Sequence, residues 1–121
     1  MEKIVEIDGR KIPFKATAAT IRIYRQNFGK DLLQDMQALQ AETATGETLS
    51  VNALTIFENI AYTMAKQADS SIPNTADEWL DTFGMFSIYV VLPQIIELWQ
   101  LSTISTAEAT SKNVNPEEVE P

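Results

Sequence analysis

The chain has 121 residues, no cysteine, no histidine and a net charge of −8 at pH 7. That length suits one hydrophobic core, and the two missing residue types exclude a disulfide framework, a thiolate metal site and the imidazole ligands of zinc, iron and copper. The charge is uneven, with seven basic and three acidic side chains in positions 1–30, one and ten in 31–101, and one and four in 102–121.

In chain order, the opening MEKIVEIDGRK carries charges where a secretory leader needs an apolar core, so a cytoplasmic protein is expected. Glu2 to Ile7 and Arg10 to Lys15 flank Asp8-Gly9, a strong signal for a two-residue hairpin turn. The implied register pairs Ile7 with Arg10, Glu6 with Lys11, Val5 with Ile12 and Lys3 with Phe14, putting Val5, Ile7, Ile12 and Phe14 on one side. Pro13 is expected to remove a ladder donor, which suits an edge strand. Two strands alone are barely stable, so their apolar side should pack on helices.

Thr17 or Thr20 caps a first helix running to about Phe28, and Gly29 supplies a left-handed stop. Asp31 opens a second helix carrying Leu32, Leu33, Met36 and Leu39, and the polar run Ala41 to Thr48 is expected to be a loop. Ser50 caps a third helix to about Ala68. Its stripe Leu54, Phe57, Ala61, Met64 and Ala68 lies beside a second line of Ala53, Ile56 and Ile60, a broad apolar face suited to two neighbours. Thr75-Ala76-Asp77-Glu78 matches a capping box for a short helix ending near Gly84.

Met85 to Leu101 reads as a final helix in which twelve of seventeen residues are apolar or aromatic. It falls short of the roughly 20 mainly apolar residues of a membrane span, so it is a core or interface helix. Pro93 predicts a kink or a restart at Leu92. Residues 102–121 are small, polar and acidic with two prolines, and are expected to be a disordered tail or linker. The fold class is thus mainly α: an N-terminal β-hairpin and a bundle of about five helices over 1–101, followed by the acidic tail.

Catalytic chemistry is sparse. The commonest general base and soft nucleophile are missing, and the isolated glycines fit no phosphate-binding loop. Lys66, the one basic residue between 31 and 101, reads as a solvated lysine. No catalytic, cofactor or metal residues are assigned. The acidic balance argues against nucleic-acid binding, which depends on clustered Lys and Arg. Lys15, Arg22, Arg25 and Lys30 still form a basic N-terminal face. It reads as solvated charge or, more sharply, as an end that docks on the acidic body of another copy, with Lys15, Arg22 and Arg25 as self-association candidates.

Trp79, Phe83, Phe86, Tyr89 and Trp99 exceed what so small a domain can cover, and two or three of them are expected to be partly exposed. Phe86, Tyr89, Ile95, Ile96 and Trp99 are the candidate protein-binding residues.

Three blocks, KIPFKATAATIRIYRQNFGKDLL, IFENIAYTMAKQADSSIPNTADEWLDTF and FSIYVVLPQIIELWQL, give the chain over residues 1–101 an order and spacing that resembles the tail assembly chaperones of long-tailed bacteriophages, in the version from phages of Gram-positive hosts. The resemblance implies a small helical protein made in the cytoplasm of the infected bacterium and absent from the mature virion. It also implies that the chain binds and solubilises the tape-measure protein, helps recruit tail-tube subunits through a frameshifted longer form, and works as a homo-oligomer, a ring or spiral. It carries over no active-site residue. The alternative is a non-enzymatic helical adaptor that regulates a different phage or host protein.

Overall fold

The computed structural model describes residues 1–46 and 48–101. The expected disordered tail, 102–121, lies outside them.

Strands β1 (Glu2–Ile7) and β2 (Arg10–Lys15) pair antiparallel in the expected register, from Ile7↔Arg10 to Glu2↔Lys15. Asp8 at φ 53° and Gly9 at φ 76° supply the two positive dihedrals that a type I′ turn needs. Val5, Ile7 and Phe14 are buried, and Ile12 packs beside them. One expectation is corrected at Pro13. Met1 and Ala16 exchange both main-chain hydrogen bonds, at 2.9 and 2.8 Å. Antiparallel pairs alternate between bonded and non-bonded, so the Ile4–Pro13 pair, three steps on, is non-bonded and the ring costs the ladder nothing.

Helix α1 (Ala18–Phe28) uses both candidate threonines. Thr17 is the cap, its hydroxyl accepting from the Ala19 N–H, while its own N–H donates to Thr20 Oγ1 at 2.9 Å. The Gln67 amide completes the knot, accepting the Thr20 hydroxyl and donating to Thr17 Oγ1, each at 2.5 Å. Helix α2 (Leu32–Thr45) starts at the Asp31 cap and runs to a left-handed Gly46, so positions 41–45 are helical and not a loop. Ala41, Glu42, Thr43, Ala44 and Thr45 include no large apolar side chain and so leave no apolar rhythm to detect. The last turn is tied down by Glu42, whose carboxylate accepts both the N–H and the hydroxyl of Ser50 at 2.8 Å.

Helix α3 (Val51–Ala68) is the central element, capped by Ser50 and buried on every side from Ile60 to Ala65. The hairpin, α1, α2 and the short α4 (Ala76–Leu80) surround it. The sharpest packing lies around Trp79, which meets Phe14 edge-on at 6.4 Å and Phe83 edge-on at 5.0 Å. Lys66 is not simply solvated. Its ammonium donates to the carbonyls of Ser70 and Ile72 and to Asn74 Oδ1 at 2.7–3.0 Å, closing the loop between α3 and α4.

The restart expected at Leu92 is present, and the stretch before it, expected to be helix, is not α-helical. Met85 and Phe86 lie in a turn, Ser87–Val91 is a 3-10 helix, and an α-helix, α5, covers 92–101. The restart places Pro93 in a first turn, where its missing N–H has no partner to lose. The capping box at Thr75 is also altered: the hydroxyl accepts from the Glu78 N–H, but the Glu78 carboxylate bonds that hydroxyl and not the Thr75 main chain. Among the described residues, no helix is long and apolar enough to cross a membrane.

Candidate functional site

The hairpin turn holds the segment that carries the most exposed apolar side chains. Asp8 accepts the Gly84 N–H at 2.9 Å and the Ser87 hydroxyl at 2.5 Å. Arg10 donates to the Thr82 carbonyl at 2.8 Å, and its guanidinium lies 4.5 Å from the centre of the Phe83 ring. With 82–87 pinned at both ends, Met85 and Phe86 project outward. They are 82% and 74% exposed, and Val90, one turn on, is 58% exposed. Three large apolar side chains so close in sequence form a ridge that none of the described residues covers.

Beside the ridge lies an open groove of about 490 Å³. Leu80, Phe83, Met85, Ile88 and Tyr89 give it apolar walls, and Glu58, Asp77 and Asp81 place carboxylates along it. The Tyr89 hydroxyl donates to Glu58 Oε2 at 2.8 Å, and its ring tilts against Phe57 at 6.0 Å. The bond to Glu58 pushes the phenol above its ordinary pKa, with burial and the Glu58 charge adding to it. Chemically the groove offers apolar area and negative charge, the complement of a cationic amphipathic surface. Among the described residues, no three His, Cys, Asp or Glu side chains are grouped to hold a metal ion.

The candidate residues separate. Phe86 is exposed, and Tyr89, Ile96 and Trp99 are half-buried. Ile95 is corrected to the core: it is 1% exposed, because the restart at Leu92 turns Val91, Ile95 and Leu98 inward together. Of the five aromatic side chains, Trp79 alone is fully buried, so four keep some exposure where two or three were expected. Met85 and Val90 were missed, since the stretch before the expected restart was read as regular helix and gave no reason to single them out. The signal that finds them is Gly84 and Pro93 bracketing an apolar run, which marks a segment not free to be one regular helix.

Arg22 and Arg25 are exposed on α1, and Lys15 is half-buried at the end of β2. None of the three forms an ion pair with a described residue; the pair that does form joins Lys3 of β1 to Glu97 of α5. Comparison with protein-family models, with curated proteins and with solved structures finds no match to this chain.

Proposed function

We propose that this chain is a tail assembly chaperone of a long-tailed bacteriophage, acting in the host cytoplasm without catalysis. It holds the tape-measure protein in solution and helps bring tail-tube subunits to it through a longer form of the same product. The observation that carries the proposal is the ridge of Met85, Phe86 and Val90, held outward by the Asp8 and Arg10 contacts. An exposed apolar ridge of this kind is stabilised by taking up the apolar face of a client helix. A tape-measure chain, long and helical, offers such faces repeatedly, and several chaperone copies on one client gain avidity. The uneven charge, basic at the start and acidic through the body, supports association of copies along that client.

Co-expression with a tape-measure protein tests the proposal. The expected result is that the client moves into the soluble fraction and co-purifies with the chain; a client that stays insoluble contradicts it.

A further inference from the structure

We infer that α1 of one copy seats in the acidic groove of the next, with Arg22 and Arg25 against Asp77 and Asp81, joining copies head to tail. The inference deepens the reading that the chain works as an assembly by naming the two surfaces that meet, and both are in view. On α1, Ala18, Arg22 and Arg25 recur at i, i+4 and i+7, an exposed stripe with a small residue at its start that lets the helix approach closely. In the groove, Asp77 and Asp81 stand at i and i+4 beside the apolar side chains of Leu80, Met85 and Ile88.

The two sets match in spacing as well as in sign. Side chains three or four apart on a helix lie about 5–6 Å from each other, so two guanidinium groups one turn apart face two carboxylates one turn apart. Neither arginine forms an ion pair with a described residue, and neither do Asp77 and Asp81. No residue of α1 lines the groove of its own subunit: α1 packs on α2 and α3, and the groove is lined by Glu58 of α3, by α4 and by the turn that follows. Two different patches on each copy make a heterologous contact, which closes into a ring or continues as an open helix. Of the ridge, Met85 also lines the groove and meets the neighbouring copy, while Phe86 and Val90 lie outside it and stay free for a client.

Sedimentation of the full chain without any client tests this separately from the chaperone proposal. The wild type is expected to self-associate with rising concentration, more weakly at high salt. Arg22→Glu with Arg25→Glu, and separately Asp77→Lys with Asp81→Lys, should each weaken self-association by about tenfold or more, because like charges then face each other. Mixing the two reversed variants should restore it, each groove now meeting an α1 of opposite sign. A thermal melt of each variant confirms folding; if the lysine pair disrupts α4, Asp77→Asn with Asp81→Asn replaces it, with a smaller loss in the same direction. A monomeric wild type, reversed variants that associate as before, or a mixture of the arginine-to-glutamate and folded aspartate-to-lysine variants that stays dissociated overturns the assignment.

Discussion

The carboxylate of Asp8 accepts the hydroxyl of Ser87 at 2.5 Å across 79 positions of sequence. A second oxygen of the same group takes the Gly84 N–H, so one turn residue both shapes the hairpin and sets the far segment that carries the ridge.

Asp8→Asn keeps a side chain that tolerates the left-handed turn but removes the charge that both bonds use. The bond from Ser87, then that from Gly84, then the nearby Arg10 hold the Asp8 carboxyl below its ordinary value of 3.8. A lowered folded pKa contributes stability that is present above 3.8 and is lost as pH falls through the folded value. Thermal melts should therefore show Asp8→Asn less stable than wild type at neutral pH, with the gap closing in strong acid.

At the alkaline end the sign reverses. Tyr24, Tyr62 and Tyr89 are all raised above the ordinary phenol value of 10.0, by burial first for Tyr24 and Tyr62 and by the bond to Glu58 first for Tyr89. The unfolded chain then releases protons that the folded one keeps, so stability is full below pH 10.0 and falls as pH rises beyond it. Urea midpoints should drop above that pH as phenolate absorbance appears with unfolding. Tyr24→Phe should make the drop shallower, while costing about 1–2 kcal/mol near neutrality for the lost 2.6 Å bond to Asp35.

Core and ridge should separate cleanly in the same urea assay. Trp79→Ala removes the ring that Phe14, Tyr62 and Phe83 pack on and should cost about 3–5 kcal/mol. Phe86→Ser, at a side chain 74% exposed, should change stability by no more than about 0.5 kcal/mol.

Ser50 joins two helices, capping α3 through the Ala53 N–H at 3.1 Å while donating to Glu42 of α2. Ser50→Ala should cost about 0.5–2 kcal/mol in the urea midpoint, the range of a lost N-cap. Glu42→Gln should destabilise in the same direction, and amide exchange at the C-terminal turn of α2 should quicken in both variants.

What the sequence made legible was local chemistry with one solution. Asp8-Gly9 admits one hairpin register, and Gly29 and Ser50 mark helix ends because a left-handed stop and an N-cap hydroxyl each satisfy bonds that would be left open. The misreadings arose where a distant partner decides. The helical turn at 41–45 lacks an apolar stripe and depends on Glu42 reaching Ser50. Lys66 is defined by carbonyls on a loop whose path the sequence does not announce. Ile95 is core because the phase of α5 is set by where the helix restarts, and a segment so largely apolar carries no pattern from which that phase can be read. The candidate site was half visible for the same reason: Phe86 stood out as an aromatic residue, while Met85 and Val90 became surface only through the turn and the 3-10 helix.

The most direct measurement is calorimetric titration of a soluble helical segment of a tape-measure protein into the wild-type chain and into a Phe86→Ser, Val90→Ser variant of unchanged melting temperature. The account predicts binding by the wild type with a negative heat-capacity change, the mark of apolar burial, and its loss in the variant. Absence of binding by the wild type, or equal binding by both proteins, would contradict it.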